Sequence, residues 1–169
     1  NPLFKERNLM DQDIFNAYDI RGIYPDQLND ETACRVGIAI ADYLKLQEVV
    51  VGRDMRISGL ALRDSLVQGL TNKGVNVIDL GIVSTPMVYF AVANYGYSGG
   101  IMITASHNPK DYNGFKVCRE QAIPVFGEEL QKIGQLAETI SLPLPTRKKG
   151  DILFKEILPD YKRHVLKFA

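Results

Sequence analysis

The chain has 169 residues, with 20 Lys+Arg against 20 Asp+Glu and a formal net charge of +0, which removes the electrostatic argument for a nucleic acid or an anionic membrane as partner. With 46% hydrophobic and 24% charged residues it has the usage of a soluble domain long enough to bury its own core, and no apolar run has the length of a membrane span or the build of a signal peptide. Cys34 and Cys118 have no metal-ligand spacing and read as free thiols of a reducing cytoplasm.

Residues 1–13 are polar and aperiodic and read as a flexible arm; the first residue, Asn1, suggests a piece of a longer protein. Ile14-Phe15 opens the first apolar element. The segment Ala17 to Tyr24 sets strand formers around Asp19 and Arg21 and closes at the turn signal Pro25-Asp26. Asn29 or Asp30 caps a helix to about Leu46, with Val36, Ile40, Tyr43 and Leu44 at core spacing. Val49-Val50-Val51 is a β-branched run, expected as a buried strand that ends on Arg53-Asp54. Ser58 caps the next helix, to about Lys73, with Leu62, Leu66 and Leu70 on one stripe and Gly74 at its end. Val75 to Leu80 is the next strand. Thr85-Pro86 then gives a cap followed by proline in the first turn of a helix to about Tyr95.

Ile101 to Ile103 reads as another buried strand, and it stops abruptly in Thr104-Ala105-Ser106-His107-Asn108-Pro109. Proline lacks an N–H and restricts the residue before it, so Ser106 and His107 belong on a loop at the carboxyl end of a strand. In open α/β sheets that edge binds ligands. Tyr112-Asn113-Gly114 reads as a tight turn into a strand from Phe115 to Cys118, and Ile123 to Phe126 as a short extended piece. A helix of about Glu128 to Thr139 follows Gly127. Residues 141–150 hold two prolines and the basic run Arg147-Lys148-Lys149, and read as an exposed connector to a last helix of about Pro159 to Phe168. Strands and helices alternating at these lengths predict a three-layer α/β/α domain on a mostly parallel, mixed sheet. Arg53 and Ser106 then share one rim.

Two chemistries suit that rim. A Ser–His hydrolase is disfavoured, because adjacent side chains of an extended segment point apart and no Gly-x-Ser-x-Gly elbow is present. Phosphate chemistry fits better: a loop serine has Arg21, Arg53, His107 and Lys116 as candidate cations, and phosphoryl transfer needs positioning and fixed charge above all. No P-loop or Gly-x-Gly-x-x-Gly is present, so a nucleotide is not indicated.

The run Gly100-Ile-Met-Ile-Thr-Ala-Ser-His-Asn-Pro109, followed by Tyr112-Asn-Gly-Phe-Lys116, resembles the serine loop of the α-D-phosphohexomutases. Phe15-x-Ala-Tyr-Asp-Ile-Arg-Gly22, Val51-Gly-Arg-Asp54 and Gly81-x-Val-x-Thr-Pro86 extend the resemblance, in order and spacing, over residues 14–145. It is most similar to the bacterial phosphomannomutase/phosphoglucomutase branch, and to that family's first domain. The resemblance implies a serine, Ser106, that carries a phosphoryl group and passes it to a hexose 1- or 6-phosphate through a bisphosphate such as glucose 1,6-bisphosphate. It implies Lys116 as general acid/base, Arg21 and His107 beside the phosphoserine, Tyr18, Asn108 and Arg53 as substrate-side residues, and Ser106 as one ligand to Mg²⁺.

The same resemblance sets expectations about what is missing. The family's metal loop, sugar-recognition loop and last phosphate-binding loop have no counterpart here, so the chain is expected to be domain 1 alone, with residues 146–169 leading toward an absent domain 2. Domains 2–4 and a phosphosugar are the implied partners, with no nucleic acid and no membrane, in the cytoplasm. The piece by itself is expected to be inactive, and the apolar side of its last helix, with Leu158, Val165, Leu166 and Phe168, to be exposed. A phosphoglucosamine-type mutase and a non-catalytic phosphosugar-binding module stand as alternatives.

Overall fold

A computed structural model describes residues 10–144 and 148–169. Six strands form one sheet: β1 (Ile20–Ile23), β2 (Glu48–Arg53), β3 (Asn76–Ile82), β4 (Gly99–Ile103), β5 (Tyr112–Arg119) and β6 (Ile152–Phe154). Five α-helices connect or flank them: α1 (Asp30–Leu44), α2 (Gly59–Asn72), α3 (Thr85–Tyr95), α4 (Glu128–Thr139) and α5 (Leu158–Val165). The strand order is β1-β5-β4-β2-β3-β6. The β4–β2, β2–β3 and β3–β6 pairs are parallel, while β1–β5 and β5–β4 are antiparallel. The sheet is thus mixed, parallel where βαβ crossovers connect strands and antiparallel where the short Ser106 loop leaves no room for one.

Side chains along the central strands alternate between two cores. Val49, Val51, Ile101, Ile103, Phe115 and Val117 face α1, α2 and α4. Val50, Ile78, Leu80, Met102 and Cys118 face α3 and the residue leading into α5, Ile157. This is the expected three-layer α/β/α arrangement. On the first face the crossing of α1 and α2 is unusually close: a Cβ on Gly69 would lie 2.2 Å from the Cys34 carbonyl oxygen, so no other residue fits there without moving a helix.

Helix α1 begins as its sequence dictates, the Asn29 side chain accepting from the Thr32 N–H, and α3 is capped one residue earlier than expected, at Ser84. The Tyr112-Asn113-Gly114 segment is not a turn but the start of β5. Gly114 is required by pairing rather than turning, since a Cβ there would meet the Ile20 carbonyl oxygen of β1 at 2.1 Å. Asn113 is wholly buried and donates from Nδ2 to the Ser58 Oγ at 2.9 Å. Ser58 therefore anchors β5 to the start of α2 instead of capping the helix with its side chain.

Of the expected N-terminal arm, residues 1–9 lie outside the described residues, but Met10 is buried and Asp11 accepts from the Asp13 N–H and from Gln27 Nε2. Of the expected basic connector run, Arg147 also lies outside them. Beyond it the chain is more than a connector: Ile152–Phe154 adds the edge strand β6, and α5 lies on α3 through Tyr161 and His164, whose rings lie 5.4 and 4.9 Å from that of Phe90. Leu158, Val165, Leu166 and Phe168 are exposed, as expected. No helix among the described residues is long and apolar enough to cross a membrane.

Candidate active site

The second face of the sheet is covered only in part. Helix α3 lies over β2, β3 and β4, and its cover ends at Cys118 on β5. Lys116, two residues back on the same side of β5, and Arg21 on the edge strand β1 lie beyond it. There an open cleft of about 620 Å³ is lined by Tyr18, Asp19, Arg21, Ser106, His107, Asn108 and Lys116, with Asp13, Asn16, Gln27 and Tyr112 around it. Six of the seven residues expected from the sequence meet there.

Asp19 organises the floor. It is 6% exposed, and a carboxylate so placed must be paired. Its Oδ2 accepts from Arg21 Nη2 and, at 3.2 Å, from Lys116 Nζ. One anion thus serves two cations, which leaves the cluster positive. Arg21 also donates from Nη1 to Asn108 Oδ1 at 2.8 Å, tying the floor to the serine loop, and its Nε is buried with no hydrogen-bond partner among the described residues. Tyr18 is 79% exposed and stands at the lip.

Ser106 is in the left-handed region, with φ +57°. That conformation turns its side chain back toward its neighbour, and Ser106 Oγ lies 3.3 Å from His107 Nδ1. The expectation that the two side chains point apart is therefore corrected: it holds for extended backbone, and Ser106 is not extended. The strained conformation is supported from below, where the Ser106 N–H donates to Thr104 Oγ1 at 2.9 Å and Thr104 Oγ1 donates to Asp54 Oδ2 at 2.7 Å. Arg56, two residues beyond Asp54, reaches the loop from behind.

Arg53 ends β2 on the same edge of the sheet, paired in register with Ile103. Its guanidinium does not line the cleft; Nη1 donates to the Asp54 carbonyl oxygen at 3.4 Å. Of the expected rim residues it is the one the structure leaves outside. Cys118 shares the face but not the cleft: burial pushes its thiol up to about 12, so it stays protonated and unreactive.

A family model described as phosphoglucomutase/phosphomannomutase, alpha/beta/alpha domain I, matches residues 12–143. The chain belongs to this family. As a phosphoglucomutase/phosphomannomutase domain I, it is 39% identical over 157 residues to a phosphomannomutase of Escherichia coli, covering 92% of this chain and 34% of that protein. A phosphomannomutase of Klebsiella pneumoniae is 40% identical over 149 residues, covering 87% of this chain and 95% of that sequence. A solved phosphoglucomutase/phosphomannomutase family protein from Burkholderia thailandensis superimposes with a TM-score of 0.81 at 32% identity, covering 94% of this chain and 36% of that one. The chain spans about a third of the length of the E. coli and B. thailandensis proteins.

Within this family domain, Asp19, Thr104, Asp54 and Arg56 are the site residues that sequence reading missed. Asp19 and Asp54 lie inside motifs quoted for other residues, and an acid flanked by strand formers was the available signal. Arg56 follows in the pattern Gly52-Arg-Asp-x-Arg56, which looks like a solvated loop until the fold brings it to residues about fifty positions on. The donor set does not by itself fit Mg²⁺. Among the described residues no three His, Cys, Asp or Glu side chains converge, and Asp19 is already committed to two cations, whereas a hard divalent ion takes about six oxygen ligands.

Proposed function

We propose that this chain is the phosphoryl-carrying domain of a phosphohexomutase that interconverts hexose 1- and 6-phosphates of glucose or mannose. The observation that carries the reading is Ser106, set in a cleft whose floor pairs two cations, Arg21 and Lys116, with one carboxylate, Asp19, and with His107 beside the serine. A dianionic phosphoryl group on Ser106 Oγ gains from the excess positive charge of the floor and from the donors that Arg21 and Lys116 present.

In the forward half-reaction the bond between Ser106 Oγ and phosphorus breaks as a sugar hydroxyl oxygen bonds to that phosphorus. The hydroxyl loses its proton, and Ser106 Oγ gains one. Lys116 and His107 are the cleft groups able to move protons, and His107 Nδ1 is within 3.3 Å of Ser106 Oγ. The sugar leaves as, or reorients as, a bisphosphate; in the second half its other phosphoryl group returns to Ser106 Oγ and the proton movements reverse. Lys116 and Arg21 hold the phosphate charge in both directions. Mg²⁺, with further ligands from outside these residues, would neutralise charge on the transferring group; the steps assigned here to this chain use only its own side chains.

The test is an intact mass and a turnover assay. The proposal expects about 80 Da of phosphoryl mass after incubation with glucose 1,6-bisphosphate, absent in Ser106→Ala. In the native-length protein it expects conversion of glucose 1-phosphate to glucose 6-phosphate, lost in the same variant. A mass unchanged by the bisphosphate, or full turnover by Ser106→Ala, would overturn it. The 169-residue chain alone is expected to carry the group without completing the cycle.

A further inference from the structure

We infer that Arg56 is a positioning residue: its guanidinium, held by Asp54, fixes the backbone of the Ser106 loop and thereby the place of the Ser106 hydroxyl in the cleft. The inference rests on the reading of Ser106 as a phosphoryl carrier, but the geometry behind it stands on its own. Every guanidinium nitrogen of Arg56 has a partner, and the residue is not among those that line the cleft. Nη1 donates to the Pro109 carbonyl at 2.7 Å and the Tyr112 carbonyl at 2.9 Å. Nη2 donates to the Ser106 carbonyl at 3.0 Å and the Asn108 carbonyl at 2.7 Å. Nε faces Asp54 Oδ2 at 3.3 Å, and Asp54 Oδ1 accepts from the Arg56 N–H at 3.0 Å.

Four carbonyl oxygens from one short loop thus converge on a single cation that is 12% exposed. Without it their negative ends would repel one another and be free to turn. With it they point behind the loop, away from the cleft that is to receive an anion. The same fixing holds Ser106 at φ +57°, a conformation that is unfavourable for a non-glycine residue unless its surroundings impose it. Asp54 joins the two supports, since it pairs with Arg56 on one side and accepts from Thr104 Oγ1 on the other. The guanidinium has five N–H groups in a fixed fork, matching four carbonyls and Asp54; a lysine there keeps the charge but has only three donors and no fork.

The experiment compares Arg56→Lys and Thr104→Val with the wild type. Amide hydrogen exchange on the 169-residue chain should accelerate about tenfold or more over residues 105–112 in both variants while β2 and β4 keep their protection. In the native-length protein kcat should fall about tenfold or more with KM within about twofold, since Arg56 does not touch the substrate's side of the loop. Unchanged exchange over residues 105–112 in Arg56→Lys would overturn the inference, as would faster exchange with kcat unchanged. If Arg56→Lys loosens the whole domain, Arg56→Ala with added guanidinium decides: protection restored over residues 105–112 supports the inference, and none restored overturns it. A wild-type protein without mutase turnover would sink the functional reading alone, and the exchange result would then judge the clip.

Discussion

The two faces of the sheet are filled to different extents, and the difference makes room for the cleft. Three helices, α1, α2 and α4, close the first face over β1, β2, β4 and β5, with Ile20, Val51, Ile103 and Phe115 fully buried. On the second face α3, joined by Ile157 just before α5, covers the middle strands and stops short of the β1–β5 edge. What lies under helices is apolar and fixed by packing. What lies past the last helix is charged and fixed by ion pairs: Asp19, Arg21 and Lys116. The closed face supplies stability to the domain as a whole, and the open one spends some of the sheet's burial on a cleft.

Substitutions on the two sides should therefore separate activity from stability. The largest effect is expected from Lys116→Ala on the open side, where kcat should fall about 10²- to 10⁴-fold with little change in melting temperature; a loss of folding instead would mean that the open side also holds the domain together. Next, Leu66→Ala on the closed side removes a fully buried side chain and should destabilise by about 2–5 kcal/mol, read by urea unfolding, with the cleft hydrogen bonds intact by NMR. Asp19→Asn tests the border between the two. It leaves two cations without their shared anion, and should cost about 1–3 kcal/mol along with a reduced kcat; stability equal to wild type would show the pairing to be dispensable. The smallest effect concerns Cys118, roofed by α3. Its folded value, about 12 against an ordinary 9.0, means that the stability from the neutral thiol is intact below pH 9 and drains away as pH rises toward 12. Melting temperature should decline over that window more steeply than in Cys118→Ala, and iodoacetamide should leave the native thiol unmodified at pH 8.

The closed face was the more legible of the two in the sequence. Val49-Val50-Val51 and Ile101-Met102-Ile103 announce buried strands because both of their faces are apolar, and Leu62, Leu66 and Leu70 announce the buried side of α2 by spacing alone. The serine loop was legible through Pro109 and the resemblance around it. Its internal geometry was not. Asp19 meets Lys116 across 97 positions, and Arg56 meets Ser106 across 50, so neither contact leaves a local pattern. Asn113-Gly114 carries a turn signal that close approach to Ile20 overrides. Strand β6, the apolar run Ile152-Leu153-Phe154, escaped because it is short and directly follows the connector of residues 141–150; it is an edge strand whose side chains are exposed.

The left-handed backbone at Ser106 also bears on the choice of amino acid. Serine and threonine offer the same hydroxyl to a phosphoryl group, yet a β-branched side chain is a genuine outlier at positive φ. At φ +57° threonine would crowd its own backbone, so Ser106→Thr should fail to take up the proposed phosphoryl group or pull the loop out of shape. Glycine, in contrast, should adopt the same backbone freely and present no oxygen at all. The loop's shape thus restricts which hydroxyl residue can occupy this position before any phosphate or sugar arrives.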